Sequence, residues 1–219
     1  MKGEHRASAH LILGGAALFT MLLLLFAFGN DLSGRVTSRV TIVNATPVNC
    51  TVTGVAGYNL ISIPCITSAD PRAAVIDDVD LLAIYQYVPT TSDKWRVHNP
   101  NLPSWVVSDL EFLSRRVGYV LILNQSRSYQ TSGLSVASTD IPVIAGWTLV
   151  GYPSLNETDI VNATLVINDT VTVIRSYDTT AGVYRSYFPA TQTGDLVNLT
   201  PGQGYWINGS ASETWTVYS

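Results

Sequence analysis

Gly57-Tyr58-Asn59-Leu60-Ile61-Ser62-Ile63-Pro64 and Gly146-Trp147-Thr148-Leu149-Val150-Gly151-Tyr152-Pro153 are one pattern written twice, 89 residues apart. The same offset pairs Trp95-Arg96 with Tyr184-Arg185 and Pro100 with Pro189. At an offset of 86, Asp109-Leu110-Glu111-Phe112-Leu113-Ser114 meets Asp195-Leu196-Val197-Asn198-Leu199-Thr200, and Gly118-Tyr119-Val120 meets Gly204-Tyr205-Trp206. Blocks recurring in one order are the signature of an internal repeat, here assigned to residues 57–140 and 141–219. Each block is a short β-branched or aromatic run closed by Gly, Pro, Asn or Ser, the composition of a strand. Strands are predicted near Leu60–Ile63, Leu81–Val88 and Val117–Leu123, then at Trp147–Tyr152, Thr170–Tyr177, Val183–Phe188, Gly204–Ile207 and Thr214–Tyr218. This spacing predicts an all-β fold, two tandem homologous repeats of sandwich or barrel type, rather than a parallel sheet with crossover helices. One short helix is predicted over 71–79, with Asp70 as its cap and Pro71 in its first turn.

Working outward toward the N-terminus, Leu11 to Gly29 carry no charge across 19 residues. As a helix they would reach about 28 Å, close to the thickness of a bilayer's hydrocarbon core. A transmembrane or signal-anchor helix is therefore expected at 11–29, with residues 1–10 cytoplasmic and 30–56 a linker and β-rich segment. The run exceeds a usual signal-peptide core, which favours retention, whereas Ala27-Phe28-Gly29 offers the small residues of a cleavage site. Arg6-Ala7-Ser8 resembles the processing site of archaeal type IV pilins.

Basic residues flank both ends of the span, so orientation rests on the sequons. Asn44, Asn49, Asn124, Asn156, Asn162, Asn168, Asn198 and Asn208 each begin Asn-x-Ser/Thr without an intervening proline. Eight of twelve asparagines do so where composition alone predicts roughly two, and all eight follow the span. The side beyond residue 29 is thus read as exterior, making N-linked glycans the expected covalent partners of a single-pass cell-surface protein. An exterior compartment also permits a disulfide between Cys50 and Cys65, the only cysteines. A hairpin turning at Gly57-Tyr58 would place them opposite one another; the alternative is two buried free thiols.

Two stretches of the second repeat, Tyr177-Asp178 and Leu199-Thr200-Pro201-Gly202-Gln203-Gly204-Tyr205-Trp206-Ile207, complete a pattern with the Gly-aromatic block. It resembles a β repeat of prokaryotic extracellular surface proteins. The resemblance covers 57–123 and 146–217 and implies location and architecture more than activity; joined to the sequon density, it points to an archaeal cell or virion surface. The first repeat departs from the pattern, with Val88 in place of Asp178 and Arg115-Arg116-Val117 in place of Pro201-Gly202-Gln203. Any binding role shared by the turn is not carried over to it.

The inventory of reactive groups is thin. His98 is the only histidine beyond the span, and no zinc spacing, phosphate loop or dinucleotide fingerprint occurs, so neither enzyme activity nor a cofactor is expected. A net charge of −4, with Lys94 the only lysine after the span, excludes a nucleic-acid partner. Asp77, Asp78 and Asp80 have carboxylates that suit calcium, but without an EF-hand loop they read first as a solvated helix end. The recurrent aromatics Trp95, Trp147, Tyr205 and Trp206 read first as core, with a sugar-stacking platform as the alternative. Val36, Val40 and Ile42 share one strand face in the 34–53 segment outside both repeats, which reads first as the opening strand of the first domain, joined to the anchor by residues 30–34. The expected function is non-enzymatic: structural, adhesive or recognition work at the surface. The alternative is self-association as a filament subunit, pilus- or thread-like, donating the 34–53 strand to a neighbour after signal cleavage.

Overall fold

The computed structural model describes residues 46–103 and 105–219, all within the unit Val43–Ser219. The expected membrane segment, the residues before it, Val36, Val40, Ile42 and the Asn44 sequon lie outside the described residues. Among the described residues no helix is long and apolar enough to cross a membrane.

The fold is all-β. Its first half runs β1 (Pro47–Gly54), β2 (Gly57–Ile61), β3 (Asp70–Pro71), α1 (Arg72–Val75), β4 (Leu81–Tyr87), β5 (Trp95–His98), β6 (Phe112–Leu113), β7 (Tyr119–Leu123) and β8 (Arg127–Leu134). Its second half runs β9 (Ser138–Val143), β10 (Gly146–Gly151), β11 (Thr158–Asp159) and α2 (Ile160–Thr164), which continues into a 3-10 turn, Leu165–Ile167. Then follow β12 (Val171–Asp178), β13 (Val183–Phe188), β14 (Thr193–Gly194), β15 (Asn198–Leu199), β16 (Gly204–Gly209) and β17 (Glu213–Tyr218). The main sheets have the orders β2-β7-β4-β5 and β10-β16-β12-β13-β14, so corresponding strands take corresponding places. In each half the first and last strands pair as an antiparallel ribbon, β1 with β8 and β9 with β17.

Side-chain alternation explains the layering. Val52 of β1 and Tyr129 of β8 turn inward and join Ile61, Ile84, Tyr119, Leu121 and Leu123 of the first sheet in one buried cluster. Val143, Trp215 and Val217 of the second ribbon likewise join Val150, Ile174, Tyr205 and Ile207. Each fully buried aliphatic side chain here contributes about 1.5–3 kcal/mol relative to exposure. Trp215 also donates its indole N–H to the Ala163 carbonyl at 2.8 Å, which satisfies its one polar atom.

The pairing of β1 with β8 bears on two expectations. Residues 47–54 have a partner inside their own chain, in accord with the reading of this segment as the first strand of the first half. The hairpin expected at Gly57-Tyr58 is absent. Gly57, at φ +91°, instead turns the chain out of the ribbon and into the sheet, a conformation glycine adopts without a Cβ penalty. Asn59 holds that corner, accepting from the Val55 amide at 2.9 Å and donating to its carbonyl at 2.8 Å. The Cys50–Cys65 disulfide is present, but it bridges ribbon to sheet margin, with the Cα atoms 6.0 Å apart. Cys50 lies opposite Thr131, not Cys65.

The predicted 71–79 helix is a single turn. Asp70 turns its carboxylate back to the amide and hydroxyl of Thr67 rather than capping forward, and Asp70–Pro71 pair with Phe112–Leu113. At the matching position Asp159 does cap, accepting from the Asn162 amide at 3.0 Å, and its helix is longer.

The two halves meet through equivalent contacts. Ile61 bridges Gln203, and Val150 bridges Val117. The Ser62 amide donates to the Gly202 carbonyl at 2.8 Å, and the Gly151 amide to the Arg116 carbonyl at 3.0 Å. Under the offsets of 89 and 86 residues these are the same pairs of positions, as in an interface with two-fold symmetry. Here the repeated glycines find their reason: a Cβ on Gly118 would lie 2.6 Å from the Val150 carbonyl oxygen, and one on Gly204 would lie 2.8 Å from that of Ile61.

Candidate functional site

Beside that junction the outer faces of the two sheets carry aromatics. Leu60, Val120 and Leu149 are buried between the halves, and Tyr58, Tyr85, Tyr87, Tyr177 and Trp206 pack around them half-buried. Trp206 is the hub, with ring centroids 5.2 Å from Tyr87, 6.1 Å from Trp95 and 6.3 Å from Trp147, all edge-to-face. The guanidinium carbon of Arg175 sits 5.6 Å from the centroid of the Trp147 ring, within cation–π range. Two adjoining recesses result. One of about 330 Å³ is lined by Tyr87, Trp147, Arg175, Tyr184 and Trp206. The other, about 740 Å³, shares Tyr184 and Trp206 and extends to Tyr58, Tyr85, Asp93 and Trp95. The Tyr58 and Tyr184 hydroxyls are 2.8 Å apart, and burial, followed by that contact, raises the Tyr58 phenol above its ordinary pKa.

The core reading of the recurrent aromatics holds for Tyr205, 1% exposed, but not for Trp95, 39% exposed, nor for Trp147 and Trp206, which are half-buried. Strand alternation separates them: Tyr205 and Trp206 are adjacent and point to opposite faces. Tyr205 earns its place by accepting from the Thr200 amide at 2.7 Å, as Tyr119 does from Ser114 at 2.7 Å. Tyr85, Tyr87 and Arg175 are not candidates from the sequence, and Tyr184 enters there only as the repeat counterpart of Trp95. The legible signal for the tyrosine pair is the i, i+2 spacing of Tyr85 and Tyr87 on one strand face.

Of the sequon asparagines, Asn49, Asn124, Asn156 and Asn162 are exposed and Asn168, Asn198 and Asn208 half-buried, so none of the seven described is enclosed in a core. Asn49 accepts from the Ser132 hydroxyl at 2.8 Å, and Asn198 donates to Glu157.

The Asp77, Asp78 and Asp80 carboxylates do not converge. Arg127 takes Asp77 at 2.8 Å and Asp80 at 3.6 Å, while Arg72 takes Asp78 at 2.8 Å. Among the described residues no group of three or more His, Cys, Asp and Glu side chains is placed to hold a metal ion. In this arrangement the three carboxylates are ion-pair partners of Arg72 and Arg127.

His98 holds a place the sequence did not foretell. Its Nδ1 lies 2.9 Å from Ser108 Oγ and its Nε2 2.9 Å from Asp78 Oδ1. The three residue types are those of a hydrolytic triad, but Asp78 is already paired with Arg72. In the second half the position of His98 is occupied by Tyr187, each facing an isoleucine of the neighbouring strand, Ile84 or Ile174. Ser108 and Asp78 thus satisfy both nitrogens of the His98 imidazole.

A further polar recess of about 460 Å³ includes Asp178, Arg185 and Asp195. Arg185 pairs with Asp178 at 2.8 Å, and Asp178 is held below the usual carboxylate range first by the Ala181 amide and then by Arg185. Asp195 accepts from the Ser186 amide at 2.7 Å, as Asp109 does from Val97 at 2.9 Å, so the repeated aspartates secure strand edges.

No protein-family model, curated protein or solved structure matches this chain.

Proposed function

We propose that this chain is an N-glycosylated surface protein with a structural, adhesive or recognition role, not an enzyme. On this reading residues 11–29 anchor it in the membrane, and the β fold, two units descended from one by duplication, stands outside. The observation that carries the proposal is the placement of the sequons: seven described asparagines, none enclosed, on a fold stapled by a disulfide. Both features belong to an oxidising exterior. The half-exposed aromatic face is the surface best suited to recognition, since contiguous aromatic patches on a hydrophilic protein mark contact sites.

The alternative, a filament subunit assembled by strand donation, has less support. Pro47–Gly54 is hydrogen-bonded along its length to Arg127–Leu134 of its own chain, which leaves that strand no free edge to donate on that side. The test is the intact mass and N-terminal sequence of the protein isolated from its native surface. A start at Met1 with added sugar mass is expected. A start at Ser8 or Asn30, with filaments visible by electron microscopy, would favour the alternative, and a mass without sugar would overturn the glycoprotein reading.

A further inference from the structure

Asn208 sits among the aromatics. On β16 it shares a face with Trp206, two residues earlier, and across the strand pair it faces Trp147 of β10. Side chains directly opposite in an antiparallel pair have Cβ atoms about 4.5–5.5 Å apart, so Asn208 and Trp147 are neighbours. On the other flank Arg175 faces Trp206. The asparagine thus adjoins Trp147 and Trp206, two of the residues that, with Arg175, Tyr87 and Tyr184, line the recess of about 330 Å³.

Its counterpart in the first half is Ile122, which faces Tyr58 and packs into the apolar cluster between the halves. Asn208 puts a half-buried amide where the other half has an aliphatic chain. Outside the strand ladder its backbone carbonyl accepts from the Thr172 hydroxyl at 3.1 Å, whereas its side chain forms no hydrogen bond among the described residues. A polar group at the margin of an aromatic recess is accounted for if it carries something that fills the recess. Asn208-Gly209-Ser210 is a sequon. A pyranose has the complementary chemistry, with a C–H face that stacks on indole and a rim of hydroxyls for hydrogen bonds.

We propose that the N-linked glycan of Asn208 folds back onto its own chain, its proximal sugars stacking on Trp147 and Trp206 while Arg175 donates to their oxygens. The adjoining groove of about 740 Å³, reached past Trp206 and Tyr184, gives the next sugars a path toward Trp95 and Asp93. The glycan then acts as a structural element between the two halves, unlike one at Asn156, which is exposed outside any strand. This inference rests on the reading that the sequons are glycosylated.

The test uses the full-length glycosylated chain with glycopeptide mapping, acrylamide quenching of tryptophan fluorescence and thermal melting. Asn208→Gln and Ser210→Ala both delete the sequon, the second without touching Asn208, and Asn156→Gln is the control. The expected result is an occupied Asn208 in the parent, with a red-shifted emission, stronger quenching and a lower Tm in both sequon deletions but not in the control. An occupied Asn208 whose loss moves none of these readouts overturns the inference while leaving the glycoprotein reading intact, because the sugar then points into solvent. An empty Asn208 beside occupied sequons elsewhere overturns it at its root. An absence of sugar at every sequon overturns both.

Discussion

Gly151→Ala is the most informative perturbation of the junction between the halves. A Cβ at this position would lie 2.6 Å from the Arg115 carbonyl oxygen, 2.7 Å from that of Val117 and 3.0 Å from Ser62 Cβ. None of these is the end of a flexible side chain, so relief requires the two backbones to separate. Overpacking of this kind costs about 1–3 kcal/mol. Separation also lengthens the Gly151-to-Arg116 bond, now 3.0 Å, at a further cost of about 0.5–1.5 kcal/mol. A total of about 2–4 kcal/mol corresponds to a fall in Tm of about 4–16 °C for a chain of this size. Gly57→Ala serves as the comparison: it strains a residue at φ +91° but would bring its Cβ within 4 Å of nothing. Thermal melting followed by both far-ultraviolet dichroism and tryptophan emission separates the two variants. Gly151→Ala should alter native-state emission, because Trp206 and Trp147 lie beside the junction; Gly57→Ala should lower Tm without altering it. A Gly151→Ala protein that melts within about 1 °C of the parent, with unchanged emission, would refute the close approach.

Replacing Cys50 and Cys65 together by alanine should cost about 3 kcal/mol, the loop entropy of a 15-residue separation, read as a lower urea midpoint that reducing agent no longer affects. Burial raises the Tyr119 and Tyr205 phenols well above their ordinary value of 10.0. The folded state therefore keeps protons that the unfolded chain releases, so their contribution to stability is intact below pH 10 and is lost as pH climbs beyond it. Alkaline titration at 295 nm should show these two phenols ionising only with unfolding, and Tyr119→Phe should cost about 1–3 kcal/mol by leaving the Ser114 amide without its acceptor. Because Arg72 and Arg127 already engage Asp77, Asp78 and Asp80, neither calcium nor chelator should move the Tm; a calcium-dependent rise would favour a metal site there.

Much of the strand order was legible because the repeated blocks fall on β2 and β10, at the junction-side edge of each sheet, and on their neighbours β7 and β16. Both faces of these strands are covered, one by the core of its own half and one by the cluster at the junction, which gives hydrophobic runs such as Tyr119–Leu123 and Leu149-Val150. The ribbons were not legible. β8 reads Arg-Ser-Tyr-Gln-Thr-Ser-Gly-Leu, with Tyr129 its single buried side chain, and β9 carries Pro142, which an edge strand tolerates but a pattern reading rejects. Missing β8 left residues 47–54 without a partner and made Gly57-Tyr58 look like a hairpin turn. The aromatic site was half visible: Trp95, Trp147 and Trp206 stood out by recurrence, yet recurrence alone does not separate Tyr205 from Trp206, which point opposite ways. The contact of His98 with Asp78 and Ser108 spans 20 and 10 residues and has no local signature.

The junction between the halves has a consequence for assembly. Its backbone contacts join the first half to the second, and the first half of one molecule offers the second half of another the same surface it offers its own. Only residues 135–137 tether the ribbons β8 and β9, a joint too short to let the halves part widely and reclose without error. Two chains opened together at high concentration would therefore find a reciprocal exchange of halves as satisfactory as self-closure. A glycan on Asn208 lying across the seam, as proposed above, would oppose that exchange.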